Sequence, residues 1–466
     1  MDASLAPAQN GASPTRTENR PRERLVWLDA LRGVAALAVV FEHLLDALLP
    51  EVRRTASPWF DFGRYGVFVF FIVSGYVIPA SLERRGSVRE FWIGRAFRLY
   101  PLWAVAAAIG LLFALAEVFW GLPDQLSDRP WTSALAHVTM LQDLLGVPNV
   151  VNVFWTLSYE MAFYLLVTAM FVAGVHRASA GAALGFGAAA LTLGIALPAY
   201  LISAAWGAGA VAGVSVLLIA GLAAVLSGRP RLRPWGAAVV AVTALALLAL
   251  NSRVGAVESF SIMATMFAGT SIYRLRHRGS VHRPMDRVVV ILVPALTIMA
   301  GVRLAAGWGV PPGHPRLSWG WPAAVAAAWL TFAVVLALRH RAMPRALPWL
   351  GVISYSVYLL HQLPLQVVRR LTGDPAPLSV MERAGWAGVI VTMVVVSSAV
   401  AYRYVEEPTQ RLGRRFARSS RARWPEPGTA GPPARPGRAA VPAPATAGDD
   451  QDRSGRPSER PPRKVA

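Results

Sequence analysis

Two histidines, a glutamate and several arginines stand within otherwise apolar stretches of this chain. Ionisable groups in such positions are costly and by default mark function. Arg32 and His43 share the first stretch, which contains Leu28-Asp29-Ala30-Leu31-Arg32-Gly33 and then Phe41-Glu42-His43-Leu44-Leu45-Asp46. On a helix they lie about three turns and about 16 Å apart, on one face. Asp46 follows His43 at i+3, a spacing at which a carboxylate can orient an imidazole. His361 ends the run Ser354-Tyr355-Ser356-Val357-Tyr358-Leu359-Leu360-His361 and is expected at a depth similar to that of His43. Two helices would then bring imidazoles, suited to proton transfer near neutral pH, to one level. Arg95 and Arg98 stand at i, i+3 in Arg95-Ala96-Phe97-Arg98-Leu99-Tyr100-Pro101 and give one helical face two guanidiniums at the inner surface. Such a pair suits a phosphate or pyrophosphate. Glu160 closes Phe154-Trp155-Thr156-Leu157-Ser158-Tyr159-Glu160 and precedes Met161, Phe163 and Tyr164. It could accept a proton from a hydroxyl or hydrogen-bond a substrate carrying one. Each feature alone also fits a structural role: a packed histidine, a membrane-surface anchor, or an ion pair between helices.

The elements that position these residues have to be membrane helices. The 466 residues are 55% hydrophobic and only 15% charged, with a mean hydropathy of +0.43. Soluble domains carry about 25% charge, so a soluble enzyme and a disordered chain are both excluded. A helix needs about 20 apolar residues to cross a bilayer. Candidate spans fall at 30–50, 64–82, 97–119, 154–174, 180–202, 207–226, 235–251, 257–275, 287–306, 320–338, 349–369 and 383–405. The expected fold is an all-α polytopic transmembrane bundle of about 10–12 spans. Residues 1–24 read as a disordered cytoplasmic N-terminus without a cleavable signal, 25–408 as the membrane domain, and 409–466 as a disordered, basic and Pro-rich cytoplasmic tail.

The net charge is +20, and Lys464 is the one lysine among 46 basic residues. The basic residues fall in short clusters between apolar stretches, the pattern of cytoplasmic loops, so nucleic-acid binding is rejected. Their alternation places both termini in the cytoplasm and the protein in the plasma membrane as a multi-pass chain. The basic start of the tail is expected on anionic membrane lipid. Cysteine is absent, which removes disulfides, thiolate metal sites and a cysteine acyl-enzyme. No metal is expected.

Taken together, Leu28–His43, Gly66–Tyr76, Arg95–Pro101, Trp155–Glu160 and Ser354–His361 resemble the acyltransferase-3 family of integral membrane O-acyltransferases, in that family's order. The resemblance covers about 25–405. It implies transfer of an acyl group from cytoplasmic acyl-CoA, acetyl-CoA being the first expectation, to a hydroxyl of a sugar-containing acceptor such as a surface glycan, a lipid-linked saccharide or a glycosylated natural product. On that resemblance Arg32, Arg95 and Arg98 hold the donor's phosphates. His43 is either a general base or the carrier of a transient acyl-imidazole. Glu160 and His361 complete the catalytic set, and Asp46, Trp155 and Tyr358 contact the substrate. The family usually has about ten spans, against up to twelve here. The rival reading is a secondary transporter or flippase that uses the same His, Glu and Arg as a proton relay. Paired repeats with broken helices, which that reading predicts, are not legible.

Overall fold

A computed structural model describes residues 25–116, 118, 123–277, 283–310 and 316–423. It is the expected all-α bundle, with no strand among the described residues. The main helices are α1 (Val26–Leu48), α2 (Phe62–Arg85), α3 (Val88–Leu115), α4 (Trp155–Val172) and α5 (Ser179–Thr192). They continue with α6 (Ala208–Leu226), α7 (Arg233–Leu250), α8 (Gly255–His277), α9 (Arg283–Ala306) and α10 (Gly320–Ala337). Three short pieces follow, α11 (Ala346–Val352), α12 (Ser354–Leu360) and α13 (Gln362–Thr372). The described chain ends with α14 (Val380–Ala401), a π turn at Tyr402–Glu406, and α15 (Glu407–Arg423).

Local chemistry sets several of these boundaries. Asp61 Oδ1 accepts the Arg64 amide at 2.7 Å and caps α2. Gly86, in the left-handed region at φ 68°, ends that helix, and Ser87 caps α3 by accepting the Glu90 amide. Each such cap satisfies a backbone group the helix itself leaves unpaired.

Among the described residues, eight helices are long and apolar enough to cross a membrane: α2, α3, α4, α6, α7, α9, α10 and α14 with its continuation. The chain is a multi-pass membrane protein. The helices outside that set are informative. α1 carries Asp29, Arg32, Glu42 and Asp46, and α8 carries Glu258, Thr265, Thr270 and Arg274, all four buried. α14 is the reverse, apolar but with Val389, Val391, Val396 and Val400 exposed. α8 carries its polar groups inside the bundle, where they must find partners because lipid offers none, whereas the apolar α14 turns valines outward.

Two glycine contacts hold the interior helices backbone to backbone. A Cβ on Gly75 would lie 1.9 Å from the Met266 carbonyl oxygen, and one on Gly269 would lie 2.5 Å from that of Ile72, so α2 and α8 touch directly. A Cβ on Gly33 would lie 2.3 Å from the Leu347 oxygen, and one on Gly351 would lie 1.7 Å from that of Asp29. The second contact seats α1, which bears Arg32 and His43, against the segment leading to His361. Small residues permit this approach, and membrane packing relies on it.

Four expectations need correction. The stretch 349–369 is not one helix but three pieces, broken at Ile353 and His361. Pro364 has no amide proton to give the Leu360 carbonyl, which loosens the helix at this point. The stretch 180–202 is not one span: α5, 14 residues long, stops at Thr192, ahead of Gly194 and Pro198, and a separate short helix starts at Leu201. α3 starts at Val88 instead of 97, so Arg95 and Arg98 lie about 10 and 15 Å along it, not at its mouth. The tail is helical through Arg423, where disorder was expected from 409. Gly413 of α15 packs on Phe97, Phe416 stacks on the same ring at 5.5 Å, and Arg421 pairs with Glu90 at 3.3 Å. The expected disorder of 1–24 and 424–466 lies outside the described residues.

Candidate active site

α1, α2, α3, α4 and α12 enclose a cavity of about 350 Å³. α1 contributes Asp29 and Arg32, α3 contributes Arg95 and Arg98, and α4 contributes Thr156 and Glu160. Ser74 and Phe70 of α2 and Tyr355 and Tyr358 of α12 complete the wall. The i, i+3 spacing of the α3 pair and the α1 contact through Gly33 therefore bring three guanidiniums to one space. Among the described residues, none of the three lies within 4 Å of a carboxylate. Arg95 lies over the rings of Phe91 and Tyr164, 5.6 Å from each centroid, and its Nε is buried without a hydrogen-bond partner.

Glu160 faces the same cavity, and the Tyr164 hydroxyl, one turn along α4, donates to its Oε1. Tyr355 donates to the Leu99 carbonyl at 2.9 Å and so ties α12 to the residue after Arg98. Thr156 donates to the Tyr358 hydroxyl at 2.9 Å, which joins α4 to α12. Sequence reasoning missed Tyr164, Tyr355 and Thr156. Their signal was available, since a hydroxyl inside a span needs a partner on another helix or one turn away.

The histidines lie past Tyr358 and do not line the cavity. The ring centroids of Tyr358 and His361 are 6.1 Å apart, and those of His43 and His361 are 5.1 Å apart. The expected convergence of the two imidazoles is therefore realised. His361 Nδ1 faces the carbonyl oxygens of Tyr358 at 2.9 Å and Val357 at 3.1 Å. A carbonyl only accepts, so Nδ1 carries the proton and Nε2 is left as an acceptor. That Nε2 is buried without a partner. His361 is wholly buried, whereas His43 is partly exposed.

Asp46 and Trp155 are not part of this arrangement. Asp46 is exposed, and among the described residues no hydrogen bond joins it to His43. Trp155 is buried in a second polar cluster, with Arg64 4.7 Å and Arg253 5.9 Å from its ring centroid. Arg64 pairs with Glu258 at 2.6 Å, and Arg253 pairs with Asp143 at 2.6 Å. Burial pushes the Asp143 carboxyl above the ordinary carboxylate range, against the pull of Arg253. The described residues contain no cluster of three or more side chains able to hold a metal ion.

A family model described as an acyltransferase domain matches residues 25–402. The chain belongs to that acyltransferase family. All the cavity-lining residues named above and both histidines fall inside the matched range. Relatives in curated collections include acyltransferase MdmB of Streptomyces mycarofaciens, 32% identical over 30% of this chain and 38% of its own length. Peptidoglycan O-acetyltransferase OatA of Listeria monocytogenes is 28% identical over 32% of this chain and 25% of its own length. Nodulation protein 10 of Rhizobium leguminosarum is 28% identical over 29% of this chain and 41% of its own. The chain thus spans less than half the length of each of these relatives. No solved structure matches it.

Proposed function

We propose that the protein is an integral membrane O-acyltransferase that carries an acyl group, acetyl first, from cytoplasmic acyl-CoA to a hydroxyl of a sugar-containing acceptor. The observation that carries this reading is the cavity with three guanidiniums and, among the described residues, no carboxylate paired to any of them. Guanidiniums in that state are built for an anion from outside the protein, and a pyrophosphate is the anion that several arginines suit. Family membership and the names of the relatives, an acyltransferase and an O-acetyltransferase, support transfer over transport.

Arg95, Arg98 and Arg32 hold the phosphates, and the thioester arm extends along the cavity towards Tyr358. His43, the partly exposed imidazole, meets the acceptor. In the general-base route it takes the acceptor's hydroxyl proton while that oxygen attacks the thioester carbonyl carbon. The C–S bond breaks, and the imidazolium returns its proton to the departing thiolate. In the covalent route the imidazole nitrogen bonds the carbonyl carbon, the C–S bond breaks, and the acylimidazolium gives its N–H proton to the thiolate; the acceptor oxygen then attacks the acyl carbon, the C–N bond breaks, and the hydroxyl proton passes to the departing imidazole nitrogen. On this reading the buried, unpartnered His361 Nε2 accepts the other N–H of His43 when that ring turns towards it, and takes the orienting role expected of Asp46. Glu160, fixed by Tyr164, binds the acceptor hydroxyl or the donor's amide arm. Tyr358 offers its hydroxyl to the oxyanion.

The test is release of CoA thiol by the purified protein in nanodiscs. A chain without cysteine gives that readout no background. His43→Ala is expected to lower release about 10²–10⁴-fold, the usual worth of an acid–base group. Unchanged release would remove His43 from the mechanism. An acyl group trapped on His43 when acceptor is withheld selects the covalent route.

A further inference from the structure

Glu406 is a buried carboxylate that the proposed mechanism does not use. It stands on the π turn between α14 and α15, 2% exposed. π turns are rare and gather at functional sites. Ser356 Oγ donates to its Oε2 at 2.8 Å, and Gln410 Nε2 donates to its Oε1 at 3.0 Å. Ser356 belongs to α12, whose neighbouring residues Ser354 and Tyr355 line the cavity. Among the described residues no cation lies within 4 Å of Glu406. The π turn packs on α3, and Tyr355, the neighbour of Ser356, donates to the carbonyl of Leu99, the residue after Arg98. The fold thus holds a carboxylate, with a hydroxyl and an amide donating to it, against the helix of Arg95 and Arg98 without pairing it to either among the described residues.

Such a charge answers a specific problem. Acyl-CoA and free CoA carry the same phosphates, so binding through phosphate holds donor and product equally. Three unopposed guanidiniums would retain the product, and release would limit turnover. Resting on the donor assignment made above, we propose that Glu406 is a positioning residue that opposes the CoA phosphates across Arg98 and Arg32 and so allows the spent carrier to leave.

The prediction has a sign that a merely structural role would not give. CoA binding is measured by calorimetry on the protein in nanodiscs, and turnover by thiol release. Glu406→Gln keeps the size and most hydrogen bonding but loses the charge. It is expected to bind CoA about tenfold tighter, a size fitting one charge acting at moderate effective dielectric, and to lower kcat and KM together. Glu406→Asp, which keeps the charge, should stay near the parent. If Glu406→Gln does not fold, Glu406→Met combined with Ser356→Ala, which removes the charge and the hydroxyl that donates to it, reads the same sign. Equal or weaker CoA binding by a folded, charge-free variant overturns the proposal. Absence of CoA binding by the parent protein would instead overturn the donor assignment, and this inference with it.

Discussion

α4 passes from one arginine cluster to another within its first two turns. At Trp155 it meets Arg64 and Arg253, and from Thr156 to Glu160 it lines the cavity with Arg32, Arg95 and Arg98. The residue types are the same, and Arg253 is the one arginine of the five that is exposed. The difference is pairing. Arg64 and Arg253 each close on a buried carboxylate at 2.6 Å beside the indole of Trp155, while among the described residues the cavity arginines close on none. A buried charge that has its partner is part of the framework. One that lacks a partner is held by the framework for something else. Arginine content therefore says little about where a ligand binds, and the unmatched count of guanidiniums says a good deal.

The largest expected effect breaks the framework cluster. Glu258→Ala leaves Arg64 without its partner, and removal of one side of a buried pair costs about 3–5 kcal/mol. Arg64 is partly exposed, so the lower end applies. Thermal unfolding should shift down by several degrees while CoA affinity of the folded fraction stays within about twofold of the parent. A variant of parental stability that had lost CoA binding would move Arg64 into the donor site and erase the distinction.

The cavity cluster should respond in the opposite way. Arg98→Met removes a charge that no carboxylate neutralises at contact distance, so stability should hold or rise. CoA affinity should fall about 10- to 100-fold, in line with the 1.5–3 kcal/mol of a hydrogen bond to a charged group. Calorimetry beside an unfolding scan measures both. Loss of stability at unchanged affinity would make Arg98 a framework residue like Arg64.

The legible part of this design was its chemistry, and the hidden part was its geometry. Arg32, Arg95, Arg98, Glu160 and Tyr358 were readable because each breaks an apolar run, and all five line one cavity. The meeting of His43 with His361 followed from depth alone. Trp155 stands beside the cavity and not in its wall, and an aromatic residue at a helix start fits a ligand platform and a cation–π core equally well. Only the positions of Arg64 and Arg253, far away in sequence, decide between them. The break at His361 rests on one proline in a run that otherwise scores as a span. The α15 helix was hidden by composition, since its arginines and small residues read as a solvated tail until Phe97 supplies the surface they pack on. Glu406 carried no signal as one of two adjacent glutamates, because the π turn that aims it inward is not written in the local residue types.

The smallest expected effect lies at the joint between cation and carboxylate in the cavity. Tyr164 has two contacts that can be separated: its hydroxyl donates to Glu160, and its ring lies under Arg95. Tyr164→Phe removes the first and keeps the second. Loss of one hydrogen bond to a charged group at a partly exposed site is worth about 1–2 kcal/mol. Glu160 would then lose orientation, and kcat should fall about 5- to 20-fold with KM for the donor unchanged. Tyr164→Leu removes both contacts and should raise donor KM as well, by the few-fold that a cation–π contact is worth. Steady-state kinetics on the pair of variants therefore reads the two halves of the cavity separately. If Tyr164→Phe alone raised donor KM, Glu160 would belong with the phosphate-binding arginines as their counter-ion. The contrast between matched and unmatched arginines would then narrow to Arg32 and Arg98.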